Sequence, residues 1–154
     1  MVDIVFDTQY NIPYMKLGIV GHGFVGTAVD HGFTRDVQKF IVDPKHNSTN
    51  TIEDLIAFKP DAVFVAVPTP TVESGECNTT ILEDVMQQLN RCKGLLVIVK
   101  STVPSYKLQA IQEQCVDIRI VYNPRVPHRK ELHRRLPQST HACIWRYQRR
   151  HRCS

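Results

Sequence analysis

Three glycines near the start of the chain have the spacing that lets a backbone approach a phosphate closely. Gly21, Gly23 and Gly26 form the pattern G-x-G-x-x-G directly after the apolar run 17–20. This pattern predicts a strand, a tight turn and the beginning of a helix. Gly21 suits the turn, Gly23 leaves room for phosphates, and Gly26 allows the helix to pack close to the strand. The N–H groups at the helix N-terminus then face the anion.

An acidic side chain lies where the ribose of a dinucleotide needs one. Asp43 follows a second apolar run, 40–42, and lies 20 residues beyond Gly23. A carboxylate there accepts hydrogen bonds from the adenosine ribose and repels a 2′-phosphate, so the pattern predicts NAD rather than NADP. Lys45 weakens that preference, because its ammonium group could contact a phosphate. The alternative is an ordinary glycine turn with a solvated aspartate.

The elements that must hold these residues alternate along the chain. Continuous apolar runs predict buried parallel strands at 17–20, 39–42, 62–67, 95–99 and 118–122. Helical patterns lie between them at 24–33, 51–58, 79–92 and 105–115. Thr51 and Asp54 predict a capping box at the start of the second helix, which Pro60 ends. The alternation predicts an α/β fold, a Rossmann-like doubly wound parallel sheet that binds ligands beyond the carboxyl ends of its strands.

Three of the predicted strands end in turns that contain proline. These are Pro-Thr-Pro-Thr at 68–71, Lys-Ser-Thr-Val-Pro at 100–104, and Asn-Pro at 123–124. A proline can simply stop a strand, which is the plain explanation for any one turn. All three are expected at the edge of the sheet where the ligand binds, and this favours a functional role.

These motifs together resemble the N-terminal domain of the UDP-glucose/GDP-mannose dehydrogenase family. The resemblance runs from Met15 to Pro124. It rests on the glycine loop, on Asp43, and on the motifs at 67–70, 100–104 and 122–124. It implies an NAD site formed by Gly21, Gly23, Phe24, Val25, Gly26, Asp43, Val67, Pro68, Thr69, Ser101 and Thr102. Thr102 is the catalytic candidate, since the resemblance places its hydroxyl near the nicotinamide, and no metal is expected.

The resemblance also implies a reaction. Such enzymes oxidise the C6 alcohol of a nucleotide sugar to a carboxylate with two NAD, through a cysteine thiohemiacetal and thioester that is then hydrolysed. In the family a Glu for the hydrolytic step follows Asn-Pro, whereas here the next residue is Arg125. A guanidinium stays protonated and cannot act as a general base. The family's Cys and Lys lie beyond the similar segment. The 154 residues are therefore expected to bind NAD weakly or not at all and to lack turnover.

The predicted domain, 15–124, differs from the residues at both ends of the chain. Residues 1–14 show no period and are expected to be an N-terminal extension, with Met15 as an alternative start. Residues 1–124 hold 10 basic and 14 acidic side chains, a balance of −4. Residues 125–154 hold 9 basic side chains and one acidic side chain, a balance of +8.

Three explanations of this basic tail stay open: a nucleic-acid-binding arm, a disordered extension, or translation out of frame. The arginines could contact phosphates, and Trp145 and Tyr147 could stack on bases. However, these residues do not match a known RNA-binding motif. In the frame displaced by one base after Pro124, permitted codons restore the family's N-P-E-F-L, with the missing Glu first. We therefore favour a frameshift near codon 125, and expect the tail to be disordered or loosely helical.

The remaining features bound the class of protein. No apolar run approaches the ~20 residues of a membrane span, and no signal-peptide pattern is present. A cytoplasmic protein without membrane or nucleic-acid partners is expected. The five cysteines show no metal-ligand spacing, and their odd number argues against a disulfide framework. Neither Cys77 nor His22, within the glycine loop, is assigned to the site.

Two other functions remain alternatives. One is the NAD-binding domain of another β-hydroxyacid-type dehydrogenase, which shares the glycine pattern. The other is a non-enzymatic nucleotide-binding module with an RNA-binding basic arm. A nucleotide sugar is expected as a partner only in full-length relatives, which are expected to be homo-oligomers.

Overall fold

A computed structural model describes residues 15–33, 37–46, 49–73 and 75–124. These ranges contain the predicted domain apart from 34–36, 47–48 and 74. The predicted N-terminal extension, 1–14, and the basic tail, 125–154, lie outside the described residues, together with the interpretations attached to them.

Five strands and four helices alternate along the described residues. The strands are β1 (Met15–Val20), β2 (Val37–Val42), β3 (Ala62–Val65), β4 (Leu96–Val99) and β5 (Arg119–Tyr122). The helices are α1 (Phe24–Gly32), α2 (Ile52–Phe58), α3 (Thr80–Leu89) and α4 (Ser105–Gln114). Every predicted element is present, and each end lies within three residues of its predicted position.

The strands form one parallel sheet in the order β2-β1-β3-β4-β5. Its register aligns the carboxyl ends: Val20 pairs with both Val42 and Val65, Val65 pairs with Val99, and Val99 pairs with Tyr122. The segments that follow all five strands therefore leave from one edge, here called the carboxyl edge. The strand order reverses between β1 and β3, which is the point where doubly wound sheets open a crevice for a ligand.

Side chains that alternate along the strands fill two cores, one on each face of the sheet. On one face Val63 and Val65 of β3 pack in a cluster with Leu55 of α2 and Met86 of α3. On the other face Phe64 packs in a cluster with Val29 of α1. Burial on both faces explains why the strands are continuous apolar runs, and it confirms the doubly wound α/β architecture.

Two local predictions can be compared with the geometry. At the start of α2 the Thr51 hydroxyl accepts a hydrogen bond from the Asp54 N–H at 3.2 Å, and the Asp54 carboxylate accepts one from the Thr51 N–H at 3.1 Å. The predicted capping box is therefore confirmed. The strand β3 ends at Val65, two residues before the predicted end, and beyond it the Val67 carbonyl accepts a hydrogen bond from the Ser101 hydroxyl.

The helices are short. Within the described ranges none has the length and apolar character needed to cross a bilayer.

Candidate cofactor-binding site

The glycine loop joins β1 to α1 and is held by close backbone contacts. Gly21 has φ +87°, a conformation that residues with a side chain rarely adopt, and its N–H donates to the Val42 carbonyl at 2.9 Å. A Cβ on Gly26 would lie 1.9 Å from the Gly21 carbonyl oxygen. Glycine at both positions therefore allows α1 to begin directly against the end of β1, as the spacing predicts.

The space beside Gly23 is open. Gly23 is exposed, and a Cβ built on it would have no heavy atom within 4 Å among the described residues. It is the N-cap of α1, where no described side chain caps the helix and the first turn holds no acidic residue. Open space beside an uncapped helix N-terminus is what an anionic ligand needs. Phe24, 42% exposed, and Val25 lie in this first turn, where the sequence places them.

Asp43 lies directly beyond β2 and is fixed against the glycine loop. Its Oδ2 accepts a hydrogen bond from the His22 N–H at 2.6 Å, and its Oδ1 accepts from the N–H groups of Lys45 at 2.7 Å and His46 at 3.2 Å. A carboxylate offers about four acceptor positions, so Oδ2 keeps capacity for a ribose hydroxyl. The predicted pairing of loop and acid is present.

The environment of Asp43 also fixes its charge. Partial burial raises the pKa of the Asp43 carboxyl, but the three backbone N–H groups that bond to the ionised form outweigh it. The pKa of the Asp43 carboxyl is therefore lower than its ordinary value, and the carboxylate is charged at neutral pH. A fixed negative charge at this point favours a ribose with free hydroxyls over one that carries a 2′-phosphate.

The structure gives His22 contacts that sequence reasoning missed. Its Nε2 lies 3.2 Å from Oδ2 of Asp30 in α1, and its ring centroid lies 4.1 Å from that of His46. Lys39 of β2 also pairs with Asp30. Burial raises the pKa of Asp30, but hydrogen bonds from Lys39 and His22 lower it further than burial raises it. These four side chains join the glycine loop to α1 and β2. No sequence motif predicts that they lie together.

Further along the carboxyl edge, hydrogen bonds join the turns that follow β3 and β4. The Ser101 hydroxyl donates to the Val67 carbonyl at 2.7 Å, and the Thr69 hydroxyl donates to the Thr102 carbonyl at 2.9 Å. Pro68 is exposed beside them. The residues predicted to line the cleft are thus brought together.

Thr102 is exposed, and its side-chain hydroxyl has no partner among the described residues. That hydroxyl is therefore available to a water molecule or a substrate oxygen. Between the β2 end, where Asp43 lies, and the β4 end, where Thr102 lies, are three strand spacings, about 14 Å at the usual separation of paired strands. The two predicted ends of the site therefore suit an elongated ligand.

Two further side chains with reactive groups lie close to Thr102. The Cys77 Sγ is 3.7 Å from the Thr69 carbonyl and 3.8 Å from the Thr102 carbonyl. Buried Lys100 places its Nζ 3.4 Å from Oδ1 of Asn123, so the turns after β4 and β5 also meet. Sequence spacing gave no reason to place Cys77 here, because a short antiparallel bridge between residues 71 and 77 brings it back to the edge.

Comparison with known families identifies the domain. A family model described as "UDP-glucose/GDP-mannose dehydrogenase family, NAD binding domain" matches residues 29–128, well over half of the chain. The chain belongs to this family. Its matched segment begins within α1, so the glycine loop precedes it and is supported by the geometry above. The described residues thus form the NAD-binding domain of a UDP-glucose/GDP-mannose dehydrogenase family member.

Solved structures share its fold. A UDP-glucose dehydrogenase from the hyperthermophilic archaeon Pyrobaculum islandicum matches with a TM-score of 0.60 and 22% identity, over 74% of this chain and 36% of that one. A ternary complex of GDP-mannose dehydrogenase from Pseudomonas aeruginosa matches with a TM-score of 0.59 and 17% identity, over 86% and 44%. The UDP-N-acetyl-mannosamine dehydrogenase of S. aureus gives 0.53 and 21%, over 76% and 38%.

The three structures differ in the nucleotide sugar that their names give, and their likeness to this chain is one of fold. The chain spans between 36% and 44% of the length of these family members. A search of curated proteins gave no match.

Proposed function

We propose that this chain is the NAD-binding portion of a nucleotide-sugar 6-dehydrogenase, which oxidises UDP-glucose or a related sugar nucleotide to the uronate. One observation carries the proposal. The open space at Gly23 and the ionised Asp43 lie together on the carboxyl edge, beyond β1 and β2, and the motif that holds Thr102 lies further along the same edge, beyond β4. When bound, NAD supplies a hydride acceptor.

The residues of this chain bind and orient that cofactor. The N–H groups at the start of α1 hold the pyrophosphate, and Asp43 holds the adenosine ribose. The turn after β3 lines the middle of the cleft through Val67, Pro68 and Thr69. At the far end Ser101 fixes the turn from which the Thr102 hydroxyl places a water molecule or a substrate oxygen.

Turnover needs more than this domain provides. Arg125 stands where the family has the Glu of the hydrolytic step, and a guanidinium cannot take up a proton from water. We therefore propose that the 154 residues bind NAD only weakly and do not oxidise a nucleotide sugar. Mixing the purified chain with NAD and either UDP-glucose or GDP-mannose should give no NADH absorbance. Steady NADH formation would refute this part of the proposal.

We further propose that a one-base frameshift near codon 125 separates the domain from its catalytic sequence. The displaced reading frame supports this, since its permitted codons place a Glu directly after Pro124. Sequencing the coding DNA across codons 120–130 tests it directly. An in-frame reading that continues past Ser154, with no coding similarity to the family in the displaced frame, would rule it out.

The displaced frame also allows the substrate class to be tested. A chain expressed with that frame restored should form NADH with one of several nucleotide sugars and with no simple hydroxyacid. Oxidation of a β-hydroxyacid instead would support the alternative dehydrogenase class.

A further inference from the structure

We propose that Tyr122 is a positioning residue, which holds the turn 101–104 so that the Thr102 hydroxyl faces the nicotinamide end of the cofactor. This inference rests on the proposed NAD-binding function. Tyr122 is the last residue of β5, so it acts on the turn that carries Thr102 from a different part of the chain.

The Tyr122 hydroxyl makes two hydrogen bonds to one residue. It accepts from the Val103 N–H at 3.0 Å and donates to the Val103 carbonyl at 2.9 Å. A phenol has one O–H to donate and an oxygen that can accept, so one bond uses its single donor and the other uses its acceptor capacity. Two bonds to the same residue fix the peptide units on both of its sides, not only its distance from the ring.

The peptide unit between Thr102 and Val103 is held from two directions. Its N–H, on Val103, bonds to Tyr122, while its carbonyl, on Thr102, accepts the Thr69 hydroxyl at 2.9 Å. A peptide plane that is bonded at both polar ends cannot rotate without breaking one of them. The backbone of Thr102, and with it the direction of its exposed side chain, is therefore set by Tyr122 and Thr69 together.

This segment needs such support because it lies between regular elements. The strand β4 ends at Val99 and the helix α4 begins at Ser105. Pro104, the N-cap of α4, has no N–H to donate. Val103 is buried and anchors the turn by its side chain, but packing of one apolar group does not fix the rotation of the neighbouring peptide. The hydroxyl of Tyr122 supplies that restraint.

The ring of Tyr122 has a separate role, which allows the two to be tested apart. It is partly buried and packs against the core on the face of α2, α3 and α4. A Tyr122→Phe substitution keeps this packing and the pairing of β5 with Val99, and it removes only the two hydrogen bonds to Val103.

The test compares two ligands on the full 154-residue chain. NADH contains the nicotinamide ring, and ADP-ribose lacks it but keeps the adenosine and pyrophosphate. We expect Tyr122→Phe to weaken NADH binding roughly fivefold, the equivalent of one hydrogen bond of about 1 kcal/mol, and to leave the affinity for ADP-ribose unchanged. The fluorescence change of NADH on binding should also be smaller in the variant, because the nicotinamide surroundings are less ordered.

A matched control is present nearby. Tyr106 in α4 is 62% exposed, so Tyr106→Phe should leave both affinities as they are. Equal NADH-to-ADP-ribose affinity ratios in the original chain and in Tyr122→Phe would overturn the positioning role alone. An original chain that binds neither ligand would overturn the proposed function, and the positioning role with it.

A second variant covers the case in which Tyr122→Phe does not fold. Thr69→Val removes the hydroxyl that holds the other end of the same peptide unit, and it should also weaken NADH binding more than ADP-ribose binding. Hydrogen exchange adds a measurement on the original chain, where the Val103 amide should be protected. Exchange of that amide at the rate of a free turn would contradict the proposal.

Discussion

Gly23 and Gly26 show how two glycines in one loop can have separate roles. A Cβ on Gly26 would lie 1.9 Å from a backbone oxygen, whereas a Cβ on Gly23 would meet no heavy atom among the described residues. Gly26 is therefore required by the packing of the fold, whereas Gly23 leaves the open space that the proposed cofactor would use.

Gly26→Ala should consequently lower the free energy of unfolding by about 1–3 kcal/mol, as expected when a group is forced into a packed site. Gly23→Ala should cost less than about 1 kcal/mol, the size of an N-cap preference, but should weaken NAD binding. Urea unfolding and NAD titration of both variants check this pair. Equal destabilisation by the two substitutions would contradict it.

The charge of Asp43 leads to a prediction about pH. The pKa of Asp43 is lower in the folded chain than its ordinary value, so the carboxylate stabilises the fold above the unfolded-state pKa of about 3.9. This contribution is lost as the pH falls through the folded-state pKa. The pKa shift is therefore a source of acid instability.

Asp43→Asn should lower the free energy of unfolding at pH 7 by about 1 kcal/mol. Both carboxylate oxygens of Asp43 accept backbone N–H groups, whereas the amide of Asn has only one oxygen that can accept. It should also weaken NAD binding. The stability difference from the original chain should narrow as the pH falls below about 4, which unfolding curves at several pH values would measure. A difference that stays constant with pH would argue against an ionised Asp43.

At the scale of the elements, the capping box of α2 is the feature whose sequence signature and geometry agree most closely. The pKa of Asp54 is lowered by its hydrogen bonds from the side chain and backbone of Thr51, and both bonds of the box are present. The helix then ends at Phe58 because Lys59, which precedes Pro60, adopts φ +54°.

Thr51→Ala should therefore destabilise the chain by about 1 kcal/mol. Thr80→Ala is the control, since Thr80 is exposed at the first position of α3 and its side chain makes no hydrogen bond among the described residues, while its backbone N–H donates to Asn78. Thermal or urea unfolding should separate the two variants. Similar losses of stability in both would mean that the capping box contributes little.

The sequence predicted elements better than it predicted the ties between them. Buried strands such as Ala62–Val65 and Leu96–Val99 are recognisable because both of their faces are apolar. The hydrogen bonds from Ser101 to Val67 and from Tyr122 to Val103 join turns from different parts of the chain. No local pattern encodes such pairs, since they depend on the strand order.

At the scale of the whole molecule, the aligned strand ends bring motifs from distant parts of the sequence to one edge of the sheet. The glycine loop, Asp43 and Thr102 were each predicted separately, from a spacing, a position after an apolar run and a family resemblance. The sheet order places the first two at neighbouring strands and the third two strands further along. By contrast, the contact between the tilted rings of His22 and His46 and the approach of Cys77 to Thr102 could be seen only in the folded chain.

The most direct test of the account is a calorimetric titration of the 154-residue chain with NAD. We predict weak binding of one NAD per chain, still weaker binding of NADP because of the charge on Asp43, and a further loss of NAD affinity in Gly23→Ala while the fold is kept. A folded chain that takes up no NAD at millimolar concentration, or one that binds NADP as tightly as NAD, would contradict it.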